Sequence, residues 1–136
     1  MIVLGVAAGC LVAALVYWVG AVVALLALHG IPLGSAGGPP TSTDIVIHFV
    51  LAALGAYVGA RVAIRISAAG PSWPAMATGV LLATFTIASF SKSSSSWPGW
   101  FPFGIAASCI LGSVLALQNA NPAKCRRARG GADSKA

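Results

Sequence analysis

The chain has 136 residues, which is enough for one domain. Hydrophobic residues make up 58% of it and charged residues only 7%, whereas a soluble domain carries about 25% charged residues. So few charges cannot cover a water-exposed surface, and the composition indicates that the lipid bilayer is the solvent. The net charge of +6 does not indicate nucleic-acid binding, because the basic residues lie at the ends of apolar segments and not along a groove or stripe.

An uninterrupted apolar stretch covers residues 2–28. It predicts a first helix about 40 Å long, which exceeds the hydrocarbon thickness of about 30 Å and requires either a tilt or a last turn beyond the membrane. A cleaved secretory signal would have a basic start and a shorter apolar core, so we expect the helix to be retained. Residues 36–38 are small and resemble a cleavage site, which keeps cleavage open as the alternative.

Three further apolar segments predict helices over 44–66, 73–90 and 101–118. Stretches rich in Pro, Gly and Ser separate them and predict loops. Asp44 falls in the first turn of the second helix, where the helix dipole favours an anion. Residues 119–136 are basic and rich in Gly and Ala, which predicts a disordered tail. The predicted fold class is therefore all-α, a bundle of four transmembrane helices.

The distribution of basic residues predicts the orientation. With four spans, seven of the eight basic residues fall on one side of the membrane and Lys92 on the other. The positive-inside rule then places both termini in the cytoplasm, as in a multi-pass protein of the bacterial inner membrane. Anionic lipid headgroups are the predicted contacts of the residues at the end of the second span and in the tail: Arg61, Arg65, Lys124, Arg126, Arg127 and Arg129.

Small residues recur at four-residue spacing in every predicted helix. In lipid, helices associate through close contact of small residues, since burying leucine gives no advantage over lipid tails. These rows predict packing either within one bundle or against a second protomer or partner, and both alternatives remain open. The predicted packing positions in the second and fourth helices are Gly55, Gly59, Gly104, Ser108 and Gly112. Of the aromatic residues, Trp97, Trp100, Phe101 and Phe103 mark the outer end of the fourth helix, whereas Tyr17, Trp18 and Tyr57 lie deeper and are interpreted as packing residues.

The second predicted helix also carries Asp44 and His48, which are four residues apart and share a face. Such a carboxylate–imidazole pair is a candidate proton or cation site. His29, at the end of the first helix, would reach the same side of the membrane, and together the three side chains would be an acceptable zinc ligand set. The alternative is that Asp44 caps the helix and His48 lies at the wet interface.

Three segments resemble a group of uncharacterised small bacterial four-helix membrane proteins: residues 55–63, Gly/Ala-rich and carrying Arg61; residues 74–79; and residues 97–101, with sequence Trp-Pro-Gly-Trp-Phe. The resemblance covers roughly the last two thirds of the chain. It implies a four-span bundle and no established activity. Small multidrug exporters of four spans rely on an acidic residue in the first span, and residues 2–28 contain none.

The sequence contains no phosphate-binding loop, HExxH motif or nucleophile elbow. We therefore expect no enzyme and no cofactor. The leading hypothesis is a non-enzymatic accessory or self-associating bundle whose partners are the bilayer and either a second copy or another membrane protein. The second is a small oligomeric transporter or channel that uses Asp44 and His48, and the third is a membrane enzyme with His48 as the base.

Overall fold

The computed structural model describes residues 2–29, 40–67, 72–91 and 97–120. They form four α-helices: α1 (Ile2–His29), α2 (Ser42–Ile66), α3 (Ser72–Ser91) and α4 (Phe101–Ala120). The all-α prediction is confirmed for these residues, and the helix ends lie within two residues of the predicted ones. The predicted tail disorder, with Lys124, Arg126, Arg127 and Arg129, falls outside the described residues.

Three of the helices are long and apolar enough to cross a membrane: α1, α2 and α4. The apolar part of α3 is shorter and covers Trp73–Ser89. At 1.5 Å per residue this segment is about 26 Å long, a few ångströms less than a typical hydrocarbon core.

The direction of the helices follows from residues that meet across their interfaces. Gly5 lies against Ser67 and Gly20 against Leu51, so α1 and α2 are antiparallel. Gly104 lies against Phe49, and Asn119 contacts Tyr57, so α4 runs parallel to α2. α2 and α3 each pack against the other three helices, whereas α1 packs mainly on α2. In cross-section, α2 and α3 therefore occupy the two opposite corners of the bundle that are in contact, and α1 and α4 occupy the other two corners.

The interior of the bundle is built mainly from small side chains. Most of the buried apolar residues are alanines, and Phe101, which is fully buried, is the largest exception. Large apolar side chains point outward instead: Trp18 is 68% exposed and Phe85 is 72% exposed. This distribution is the reverse of that in a water-soluble bundle and suits a lipid solvent, in which outward-facing leucine, valine and aromatic side chains carry no penalty.

Glycines bring the helix backbones into direct contact. A methyl group built on Gly9 would lie 2.6 Å from the carbonyl oxygen of Gly59, and one built on Gly59 would overlap the carbonyl oxygen of Gly9. A methyl group on Gly55 would lie 2.8 Å from the carbonyl oxygen of Ala13. Side chains are excluded at these positions, so α1 and α2 cross at backbone distance.

The contact of α2 with α4 follows the same principle. A methyl group on Gly112 would overlap the carbonyl oxygen of Ala53, and one on Gly104 would lie 2.5 Å from the Phe49 ring. Ser108 is partly buried and donates a hydrogen bond to the Gly104 carbonyl oxygen of its own helix at 3.0 Å. The four predicted glycines thus lie against neighbouring helices, while the hydroxyl of Ser108 is satisfied within α4.

Candidate functional site

The candidate site begins at the N-terminal end of α2, where Thr41 and Asp44 form a capping box. The Asp44 carboxylate accepts hydrogen bonds from the Thr41 backbone nitrogen at 2.8 Å and from the Thr41 hydroxyl at 2.7 Å. The Asp44 backbone nitrogen in turn donates to the Thr41 hydroxyl oxygen at 3.3 Å. These bonds satisfy backbone donors that the first turn of a helix leaves unpaired.

His48 lies one turn further along α2 and contacts the same residue through the main chain. Its Nδ1 is 2.7 Å from the backbone carbonyl oxygen of Asp44. A carbonyl oxygen can only accept a hydrogen bond, so Nδ1 carries the hydrogen. In the neutral ring, Nε2 then keeps its lone pair and is the atom that can accept a proton or ligate a cation.

Three aromatic rings from three different parts of the chain surround the imidazole of His48. The ring centroids are 5.9 Å away for Tyr17 of α1, 5.0 Å for Trp97 of the turn before α4, and 6.0 Å for Phe101 of α4. All three contacts are edge-to-face. The three distances lie within the range of edge-to-face aromatic pairs, about 4.5–7 Å between ring centroids.

The aromatic contacts continue behind this first group of rings. Trp97 stacks on Phe101 with centroids 4.2 Å apart, and Phe49 stacks on Phe101 at 5.7 Å. Phe49 also meets Trp100 edge-on at 6.1 Å. The six residues, Tyr17, His48, Phe49, Trp97, Trp100 and Phe101, are called the aromatic cluster below. The cluster connects α1, α2 and α4 at one end of the bundle.

The predicted proton or cation site consisted of Asp44, His48 and His29. The structure brings Asp44 and His48 together, but the contact joins Nδ1 of His48 to the backbone oxygen of Asp44 and not to its carboxylate. His29 is the last residue of α1, and its side chain lies outside the described part of the structure. Among the described residues, no group of three His, Cys, Asp or Glu side chains is positioned to hold a metal ion.

The opposite end of α2 carries Arg61, which is partly buried, and Arg65, which is exposed. Beside them, the Asn119 side-chain nitrogen of α4 donates to the Tyr57 hydroxyl oxygen at 3.3 Å. Both arginines therefore lie near the end of the α2–α4 interface. The four basic residues of the tail that were predicted to contact lipid lie outside the described ranges.

Sequence reasoning missed the aromatic cluster and the pair Tyr57–Asn119. A contact between His48 and Trp97 could have been predicted in part, because each residue lies beside the start of an apolar span. The predicted topology puts both of these starts on the same side of the membrane. Tyr17 carried no such signal, since a residue near the middle of a long apolar stretch does not reveal which helix it faces. Asn119 was assigned to the tail, although α4 extends to Ala120.

The fold and the site define a class: an all-α protein with three helices able to cross a membrane and a fourth, shorter apolar helix. No family model matches the chain, and neither a curated protein nor a solved structure matches it.

Proposed function

We propose that the protein is a non-enzymatic component of the bacterial inner membrane that associates with itself or serves as an accessory subunit of another membrane protein. All four helices cross the bilayer, and both termini lie in the cytoplasm. The short apolar part of α3 is accommodated by local thinning of the bilayer, which costs only a fraction of a kcal/mol per ångström of mismatch. This arrangement is also what the resemblance to small bacterial four-helix proteins implies.

The proposal is supported chiefly by the closed interior of the bundle. α1 meets α2 at Gly9 and Gly59, and α4 meets α2 at Gly112, all at backbone distance. The space between these helices is filled by backbone, by alanine and by a few larger side chains such as Phe101 and Ile105, so the outward-facing surfaces of the helices are left as the means of recognition. Those surfaces are apolar on all four helices.

The test is site-specific photo-crosslinking in native membranes. A photoreactive amino acid replaces one exposed apolar residue on each helix: Leu15, Val50, Phe85 and Leu111. Self-association gives an adduct of twice the 13.6 kDa chain mass from at least one of these positions. An accessory role gives a discrete adduct with a second protein instead.

The matched control places the same photoreactive group at Thr43, which is exposed in the first turn of α2 beyond the apolar face. A contact that is specific to one helix face should give no adduct from this position. If none of the four positions gives a discrete adduct with protein, the proposal is wrong.

A second function is favoured by one observation, the hydrogen bond that leaves the lone pair of His48 Nε2 unused by the Asp44 carbonyl oxygen. We infer that an oligomer could use Asp44 and His48 to pass protons or small cations. In that case the protein in liposomes carries a cation or proton flux that Asp44→Asn and His48→Gln abolish and Thr43→Ala leaves intact. Absence of flux from the unmodified protein would exclude this function.

A further inference from the structure

A polar contact and an arginine lie near the end of the α2–α4 interface, away from the aromatic cluster. The Asn119 amide contacts the Tyr57 hydroxyl at 3.3 Å. Arg61 follows Tyr57 by four residues and therefore shares its face of α2. Tyr57 and Arg61 are partly buried and Asn119 is exposed. An otherwise apolar bundle thus carries several hydrogen-bond donors within one turn of α2 and the facing end of α4.

Arg61 has no counter-ion in the part of the chain that the structure describes. Among residues 2–29, 40–67, 72–91 and 97–120, it makes no ion pair or hydrogen bond through its side chain. The one carboxylate side chain of these ranges, that of Asp44, lies 17 residues away along α2, or about 26 Å. A partly buried guanidinium in a membrane helix is stabilised when an anion accompanies it, and the described residues supply none.

The chemistry of the donors suits a phosphate. A guanidinium presents paired N–H groups that match two phosphate oxygens, which an ammonium group cannot do. The Tyr57 hydroxyl accepts from Asn119 and keeps its own hydrogen for a further acceptor. If the Asn119 amide is turned over, the hydroxyl donates to it and the amide N–H groups become available instead. Either arrangement leaves a neutral donor on the face of the bundle that carries Arg61.

The depth of the site agrees with this chemistry. Arg61 precedes the end of α2 at Ile66 by five residues, or about 7.5 Å, which places its flexible side chain within reach of the headgroup region. We propose that Tyr57, Arg61 and Asn119 form a binding site for one phosphate oxyanion, carried by an anionic phospholipid or free in solution. The site does not depend on the self-associating or accessory role proposed above.

Native mass spectrometry of the full-length protein in detergent tests the site. The probes are phosphatidylglycerol, diacylglycerol with the same acyl chains, and inorganic phosphate. Phosphatidylglycerol should bind at least tenfold more tightly than diacylglycerol, which lacks the phosphate. Arg61→Gln should raise the dissociation constant of phosphatidylglycerol about tenfold, and Tyr57→Phe about threefold.

Arg65→Gln is the matched control, because Arg65 lies one turn further along α2 and is exposed. Arg65 was predicted to contact headgroups in general, and loss of that unspecific attraction should change the dissociation constant less than twofold. Displacement of phosphatidylglycerol by inorganic phosphate would assign the site to the free ion, and retention of the lipid would assign it to the headgroup.

Equal weakening by Arg61→Gln and Arg65→Gln would overturn the proposal, since net charge alone would then explain binding. Unchanged binding in Arg61→Gln would overturn it as well. If Arg61→Gln does not fold, Arg61→Lys keeps the charge but loses the paired N–H groups. That variant should still raise the dissociation constant at least threefold, whereas an unchanged constant would contradict the site.

Discussion

At the scale of single residues, the side chain of His48 is held both by a hydrogen bond and by ring contacts. Its Nδ1 is held by the Asp44 carbonyl oxygen at 2.7 Å, and three rings lie within 6.0 Å of its centre. The hydrogen bond selects one tautomer, and the rings limit rotation of the imidazole. The side chain therefore presents Nε2 in one direction, which is the arrangement expected of a group that exchanges protons or binds a cation.

The tautomer of His48 is directly measurable. In the neutral protein, we expect the hydrogen on Nδ1 and none on Nε2, because only Nδ1–H can pair with a carbonyl oxygen. Nitrogen-15 NMR of the ring nitrogens distinguishes the two forms. The chain has two histidines, so His48→Asn identifies the signal that belongs to His48. A neutral ring with its hydrogen on Nε2 would contradict the structure.

The capping box at Thr41 makes a second prediction at this scale. Thr41→Ala removes the side chain that pairs with Asp44, so the free energy of unfolding should fall by about 1 kcal/mol. Thr43→Ala is the control, since Thr43 is also exposed at the start of α2 and its change should stay within about 0.5 kcal/mol. SDS titration of the protein in mixed micelles, followed by helix content, measures both. Equal losses would show that the cap contributes nothing specific.

At the scale of the helices, close contact replaces the hydrophobic effect as the source of cohesion. Burying a leucine gains nothing when the alternative is lipid, whereas contact between backbones gains dispersion energy that lipid chains cannot match as well. Gly9 and Gly59 achieve this contact for α1 and α2, and Gly112 does so for α4. The hydroxyls of Thr84, Thr86 and Ser108 bond carbonyl oxygens of their own helices, so these three groups add no bond between helices.

A single methyl group should therefore disrupt the α1–α2 interface. In Gly59→Ala, the new methyl overlaps the carbonyl oxygen of Gly9 and lies 2.8 Å from the Ala13 methyl group. Because a backbone atom cannot move aside as a flexible side chain can, we expect a loss of about 1–3 kcal/mol of unfolding free energy. SDS titration again measures it.

Gly99 provides the control for this experiment. A methyl group built there meets nothing within 4 Å, so Gly99→Ala should leave the free energy of unfolding nearly unchanged. Stability of Gly59→Ala equal to that of the unmodified protein would mean that α1 and α2 do not cross at backbone distance.

At the scale of the whole molecule, the positions of the charged residues bear on the orientation of the bundle in the membrane. The described bundle is apolar on its outer faces, and charge is confined to its ends, with Asp44 at one end of α2 and Arg61 and Arg65 at the other. The two arginines and the basic tail share one side of the membrane only if α3 and α4 both cross it or neither does. The orientation proposed for the protein rests on that distribution.

Reporter fusions test this orientation. A reporter that is active only in the cytoplasm should be active at both termini and inactive when inserted at residue 35, between α1 and α2. Reporters that are active only outside the cytoplasm should give the opposite pattern. An exported C-terminal reporter with a cytoplasmic N-terminal one would indicate an odd number of spans and would contradict the four-span arrangement.

Much of the fold was accessible from the sequence, because each helix is an apolar stretch bounded by Pro, Gly or Ser. The ends of α2 and α4 were placed two residues off, since Thr41 rather than a later residue caps α2 and α4 continues through Asn119 to Ala120. In the candidate site, the spacing of Asp44 and His48 correctly predicted that they lie close together. It did not predict that His48 reaches the backbone oxygen of Asp44, because spacing does not show which atom a side chain contacts.

By itself, the sequence determined the solvent, the number of helices and the location of the charges, since these depend on local composition and on the free energy of moving polar groups into lipid. Only the tertiary structure decided which faces meet. Alanine and glycine are so frequent that many rows of small residues could serve as interfaces, and the choice among them depends on the fit of whole helices. The same fit brings Tyr17, His48, Trp97 and Phe101 together from three segments, and it leaves Arg61 beside Tyr57 and Asn119.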